Sequence, residues 1–520
     1  MFKKTYFLAA VAVVALATSN LQAQKPLAFK GAKIITMAGE TIEDGTIVFR
    51  DGKIAAVGAD VKVPVEARVI DASDKVIMPG FVEAHTSSGM SQANETNPVV
   101  PYVSVIDSID PMNAYFRSAR RNGVTTVRVV PGNSTLIGGQ AAVIKTGGEF
   151  IDDMVLKSDA GVKISLRPVS GSRMGHLAKL RKALDEAKRK LDKKNEANKE
   201  KEDEKEEKEK DEKKDAAKKK GAKKKGADKK EKADNKKKGV RKKGAKKKDA
   251  DKKEDKDEKD DDKKEGKDTE EDKDKEEKKD KKDADKDKKK EKEDKEEKKK
   301  DDKKSEKKDD DKKPEEVESE LDKAMFAILS GELPVMIYCD KAMDVGQAMR
   351  LIKQYNFKAS LVLGRECYKA AKQVADAELP VMIDSQLVFF EEDPRTKEET
   401  KVILPQVFRD HDVKFVFQVG RGGGTTLGST YFWYQAATAV KYGMPVEDAL
   451  AALTTLPAEF LGVDEFVGSI EKGKDADIIV LSGEPLSVDT WVDMTVVNGE
   501  IVYEKEKDDQ LKLLLNGETE

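Results

Sequence analysis

Between residues 201 and 310 the chain has no Leu, Ile, Met or aromatic residue, and Val240 is the only sizeable apolar side chain. The same window holds 50 of the chain's 100 Lys and Arg and 43 of its 102 Asp and Glu. With almost nothing to bury, such a stretch cannot offset the conformational entropy of ordering. Residues 190–315 are therefore expected to be a long disordered charged insertion, and any fold must be assembled from the pieces on either side. Glu and Lys at i,i+4 support transient helix there, while frequent Asp and several Gly oppose it. Residues 211–250 are basic, with 20 Lys and Arg against 7 acids. Two readings of the insertion follow: a solvated loop, which folded domains tolerate well, or a contact with an anionic surface or polymer.

Outside that window the chain carries 50 basic and 59 acidic groups, an ordinary density with a mildly acidic balance. These charges give no reason to expect nucleic acid as a partner. The first residues, MFKKTYFLAAVAVVALATSNLQAQ, have the three parts of a secretory signal. Lys3 and Lys4 supply the positive start, residues 7–17 an apolar run too short to span a bilayer comfortably, and Leu21-Gln22-Ala23 a small residue for cleavage. The expectation is export to a periplasmic or extracellular location, with no transmembrane segment in the mature chain. Cys339 and Cys367 are the only cysteines; an oxidising compartment permits a bond between them, and two free core thiols are the equal alternative.

Short strands fill the N-terminal region: residues 46–50 alternate, Asp51-Gly52 is a hairpin turn signal, and residues 53–57 return. A second β-rich segment lies near the other end, where residues 477–481 and 494–497 lead through Asn498-Gly499 into 501–503. In between, strand candidates at 77–84, 125–130, 141–145, 163–166, 335–339, 360–363, 381–383 and 414–419 alternate with helical stretches such as 342–355 and 368–377. Such alternation predicts a parallel sheet with crossover helices. Eight runs in this length favour a closed (β/α)8 TIM barrel, in an α/β chain with a small β-sandwich built from both chain ends. The expected boundaries are a signal at 1–23, sandwich at 24–79, barrel at 80–189, insertion at 190–315, barrel at 316–464, sandwich at 465–506 and a tail at 507–520.

The first barrel strand ends in Pro79-Gly80-Phe81-Val82-Glu83-Ala84-His85-Thr86-Ser87. Two imidazoles one residue apart on a strand end point the same way and can grip one divalent metal; here only His85 is present. The run resembles the strand-one motif of the amidohydrolase superfamily, Pro-Gly-(hydrophobic)2-Asp-x-His-x-His, with Glu83 in place of Asp and Ser87 in place of the second His. Asn122-Gly123-Val124-Thr125-Thr126-Val127 and the Gly-rich Asn133-Ser134-Thr135-Leu136-Ile137-Gly138-Gly139-Gln140 are similar to segments of imidazolonepropionase-like exported members. So are Leu456-Pro457-Ala458-Glu459, Val467-Gly468-Ser469-Ile470 and Gly473-Lys474-Asp475-Ala476-Asp477. The similarity covers nearly everything outside the signal and the insertion.

The resemblance implies hydrolysis of a non-peptide carbon–nitrogen bond, in a cyclic amide or amino-acid derivative, at a divalent metal such as Zn. Position by position the ligands are depleted. Tyr338 and Asp340 stand where relatives carry His-x-His, Arg365 and Glu366 where the next His lies, and residues 415–421 offer no carboxylate for the strand-eight Asp. The chain has three His in all; His176 leads into the charged helix, and His411 precedes a strand at the opposite face. The resulting candidates are His85 as metal ligand, Asp340 and Glu366 as catalytic acids or bases, and Arg365 and Tyr338 as substrate-binding residues. The cofactor is either one divalent metal or none. The function is either the family's hydrolysis or, in an inactive barrel, binding of a small-molecule ligand or partner protein. Lys145 is either the carbamoylated lysine of some relatives or a surface or anion-binding residue. The Gly422-Gly423-Gly424-Thr425-Thr426 run either offers amides to an anion or is a mobile loop.

Overall fold

The computed structural model describes residues 25–169, 171–227, 318–419 and 431–516. The signal candidate, residues 228–315 of the insertion and the glycine run at 422–424 lie outside the described residues. The chain divides into two units, one of residues 1–203 with 318–520 and one of residues 204–317.

The first unit opens with β1 (Leu27–Ile34), β2 (Ile42–Arg50), β3 (Lys53–Gly58), β4 (Arg68–Asp71) and β5 (Val76–Pro79). The β2–β3 hairpin turns at Asp51 and Gly52, with φ of 50° and 75°, the left-handed pair that a two-residue turn matching strand twist requires. Far along the chain, β18 (Ile478–Leu481), β19 (Val492–Val497) and β20 (Glu500–Glu504) join them through antiparallel pairing of β18 with β5. Both ends thus lie in one continuous eight-stranded sheet. Its inner face gathers Phe29, Ile34, Ile47, Phe49, Ile77, Ile478 and Val496.

The central strands are β6 (Phe81–Thr86), β7 (Val124–Val129), β8 (Ile137–Gln140), β9 (Ala142–Lys145), β10 (Val155–Lys157), β11 (Val162–Ser165), β12 (Val335–Cys339), β13 (Ala359–Leu363) and β14 (Val381–Met382). A hairpin of β15 (Val388–Glu392) and β16 (Glu399–Ile403) precedes β17 (Phe415–Val416). β6 and β7 pair in parallel, as do β11, β12, β13, β14 and β17 in that order. The run at 137–145 bridges the two groups and is antiparallel to both, β8 to β11 and β9 to β7. This corrects the parallel strand expected at 141–145. Only residues 130–136 separate β7 from β8, too few for the dozen or more that a parallel crossover needs. Val82, Ala84, Val143, Met336, Val362, Met382 and Val416 meet in one interior cluster, whereas Phe81, Val127, Val129, Val162 and Ile164 face the outer layer of helices.

The strand expected at 77–84 is two strands belonging to different sheets. Gly80 is the joint, since a Cβ there would lie 2.2 Å from Thr125. One helix runs from Arg173 to Ala227, into the start of the stretch whose Glu–Lys spacing supports transient helix. Its start is nucleated by packing, with Leu177, Leu180 and Leu184 buried, and Lys190 and Lys194 pair with Asp322 and Glu318. Once a turn is fixed, each added Lys, Glu or Ala costs little. Within the second unit the described residues, 204–227, are the backbone of that helix. The tail at 507–520 contains the Asp509–Asn516 helix, anchored where Arg121 donates twice to Asp508 at 2.7 Å. Among the described residues no helix is long and apolar enough to cross a membrane. Cys339 and Cys367 are free and buried, the Cys367 thiol donating to the Cys339 carbonyl at 3.1 Å.

Candidate functional site

The C-terminal ends of the parallel strands converge on one face, the place where barrels assemble their sites. Alternation along β7 turns Thr126 and Arg128 inward, between the outward Val127 and Val129; along β11 it turns Lys163 and Ser165 inward in the same way. On β6 a register shift between Glu83 and Thr86 breaks the alternation and lets His85 reach the interior. There its Nε2 meets Lys163 Nζ at 3.0 Å.

Lys163 is the centre of this floor. Its ammonium donates to the Pro131 carbonyl at 2.8 Å, and stands 5.9 Å from the Tyr338 ring. Burial, aided by the nearby Arg128 charge, pushes its pKa down to about 7. Arg128 is equally enclosed, donating to the Ala84 carbonyl at 2.8 Å and to Met382 Sδ at 3.3 Å. Burial lowers it too, although a delocalised guanidinium keeps its proton. His85 is driven well below the usual imidazole range by burial, then by Lys163 and Arg128. Its Nδ1 is buried without a hydrogen bond.

A divalent metal does not fit this donor set. His85 offers its Nε2 to an ammonium, two cations crowd the position, and among the described residues no three His, Cys, Asp or Glu converge. A cation placed there would face like charges in a medium that screens them poorly. His176 bonds the Ser165 carbonyl at 2.8 Å, and His411 bonds the Val407 carbonyl at 2.9 Å, so neither turns toward His85.

Above the floor the candidates separate into two groups. Tyr338 and Asp340 project from β12 into the mouth, with the Tyr338 hydroxyl 3.3 Å from Asp340. Burial and the adjacent Asp340 raise Tyr338. Arg167 and Arg173 each lie 3.9 Å from Asp340, and Arg173 also pairs with the fully buried Asp344. Asp384, just past β14, is raised by burial and further by Asp340, against a lowering from Arg365. Arg365 bonds Gln386 at 3.0 Å and lies 5.0 Å over the Phe389 ring. Glu366 instead turns to Lys341 at 3.3 Å, half-exposed, away from Asp340. Lys145 is neither a surface residue nor part of the mouth. It is buried in an ion cluster with Asp475, at 2.8 Å, and Asp477, a corrected reading that follows from its place where β9 meets the terminal sheet.

Sequence reasoning missed Lys163, Arg128 and Asp384. The first two had a legible signal, a single cation inside an apolar strand (Val127-Arg128-Val129 and Val162-Lys163-Ile164), where alternation demands that it point inward.

Residues 315–502 match the model of the Amidohydrolase family. The chain is 29% identical over 146 residues to a 5-methylthioadenosine/S-adenosylhomocysteine deaminase of Caldicellulosiruptor saccharolyticus, covering 27% of this chain and 32% of that protein. It is 42% identical over 59 residues to a dihydroorotase of Anaeromyxobacter dehalogenans, 11% of this chain and 14% of the relative. The matched stretches therefore span at most a third of these two relatives. Among solved structures, an amidohydrolase from Thermotoga maritima superposes with a TM-score of 0.62 at 22% identity, covering 92% of this chain and 100% of that one. That likeness is one of fold, a TIM barrel within an α/β chain.

Proposed function

The chain belongs to the amidohydrolase superfamily, and on that premise we propose that its barrel binds a small anionic molecule without a catalytic metal. Members of this superfamily typically use a divalent metal such as Zn. Here the observation that carries the reading is the pair Lys163 and Arg128, both buried on the barrel floor with carbonyl, sulfur or imidazole partners and, among the described residues, no carboxylate. Buried charges are stable when paired, and a carboxylate on the ligand supplies the missing partner. Arg167, Arg173 and Arg365 around the mouth steer an anion toward it, and Tyr338 offers a hydroxyl on the way.

A second reading keeps the family's chemistry: hydrolysis of a non-peptide carbon–nitrogen bond in a cyclic amide or amino-acid derivative. It is favoured by Asp384, beside Asp340, whose carboxyl burial raises above the usual carboxylate range. A carboxyl raised in this way is suited to act as a general acid. Purified protein separates the readings. Metal content is measured for wild type and His85→Ala, thermal shifts are recorded with small carboxylates and their amides, and hydrolysis is assayed on lactams and N-acyl amino acids. Carboxylate-specific stabilisation with no stoichiometric metal and no turnover supports the binding reading. A stoichiometric metal lost in His85→Ala would sink it, and metal-free turnover abolished by Asp384→Asn would establish the second reading.

A further inference from the structure

Glu83 is the one ionisable carboxyl of the motif strand that neither the barrel floor nor its mouth employs. Alternation places it with Phe81 on the outer face of β6, opposite Val82 and Ala84 of the interior. There it lines a cavity of about 530 Å3, bounded by the β6 exit, the Ala114–Arg121 helix and the start of the Phe432–Lys441 helix. Glu83 is 1% exposed. Its Oε2 accepts from the Tyr115 hydroxyl at 2.7 Å, while its buried Oε1 is left without a hydrogen bond of good geometry.

The lining decides what such a cavity can hold. Among the described residues Glu83 is its only charged one; the others are hydroxyl and amide, as at Ser87 and Asn113, or apolar, as at Met90 and Phe432. Among the described residues no cation contributes to the environment of this carboxyl, whose further neighbours are the Thr86 hydroxyl and the Val419 backbone, and an under-satisfied buried acceptor is costly. The volume lies in the range that holds an amino-acid-sized molecule.

We propose that this cavity is a second binding site, for a primary ammonium on a short aliphatic chain. The ammonium donates to Glu83 Oε1 and to neighbouring hydroxyls, giving the carboxylate a counter-charge that no described residue supplies. The alkyl part lies against Met90, Val419 and Phe432. This site does not depend on what the barrel mouth binds.

The test uses the full-length protein and n-butylammonium chloride as probe, with n-butanol and butyrate as neutral and anionic controls, read by titration calorimetry at pH 8. Saturable binding of butylammonium alone is expected. In Glu83→Gln, which keeps shape and removes charge, affinity should fall about tenfold or more, the loss of one charge-assisted hydrogen bond. Ser118→Leu, at an exposed helix position on the cavity edge, should weaken binding without touching the carboxylate, and so covers the case in which Glu83→Gln fails to fold. Equal affinity for butanol, unchanged affinity in either folded variant, or no binding of butylammonium to wild type each overturns the proposal.

Discussion

Replacing Lys163 with Met tests whether the barrel floor carries an electrostatic penalty. Burial lowers the Lys163 pKa from 10.5 to about 7; at about 1.4 kcal/mol per unit, the protonated form then costs the fold about 5 kcal/mol. The native state binds fewer protons than the unfolded chain between these two values, so this penalty is full below the folded pKa and disappears as pH rises toward the unfolded one. Methionine fills a similar volume but orphans the His85 ring nitrogen and leaves the Pro131 carbonyl only the Ser87 hydroxyl at 3.4 Å, a loss of roughly 1–3 kcal/mol. The variant should therefore be more stable than wild type by about 2–4 kcal/mol at pH 6, and less stable by about 1 kcal/mol at pH 10. Urea unfolding at pH 6, 8 and 10 measures the difference, and comparison at each pH cancels the other titrating groups to first order. A variant destabilised equally at all three values would mean that Lys163 carries no burial penalty, and with it the case for an anion on the barrel floor would fall.

Three further outcomes follow from the packing. Lys145→Met strips the counter-charge from the buried Asp475 and Asp477 and should destabilise by about 3–5 kcal/mol, seen as a lower urea midpoint; an unchanged midpoint would mean Lys53 suffices for Asp475. Asp344→Ala leaves Arg173 without its buried partner and should cost about 3 kcal/mol, with circular dichroism reporting any loss at the start of the long helix. Gly80→Ala drives a Cβ into Thr125 and should cost about 1–3 kcal/mol, relieved in the double variant with Thr125→Ser only if that contact is the cause.

The strand-one run around His85, the Gly-Lys-Asp-Ala-Asp return and the β-rich ends were enough to place the chain in its fold, because strand alternation and turn residues are local properties. The departures at Ser87, Tyr338, Asp340 and Arg365 were equally legible, since a missing ligand is a statement about residue type. What surrounds His85 in the folded chain was not. Lys163 and His85 are 78 residues apart, and only the packing of the sheet that holds β11 against the sheet that holds β6 and β7 puts an ammonium against that imidazole. Asp384 became a partner of Asp340, and Glu366 was lost to Lys341, through the directions of strand ends that no sequence period encodes. The Arg173–Ala227 helix marks the same boundary in reverse: composition gives its later turns little apolar surface to bury, but its first turns borrow order from a neighbouring buried face. Sequence determined which elements could form and which residue types stand at the strand ends. Tertiary structure alone decided which charges meet, because burial and proximity, not identity, set whether a lysine is a surface cation, a link between sheets or the floor of a site.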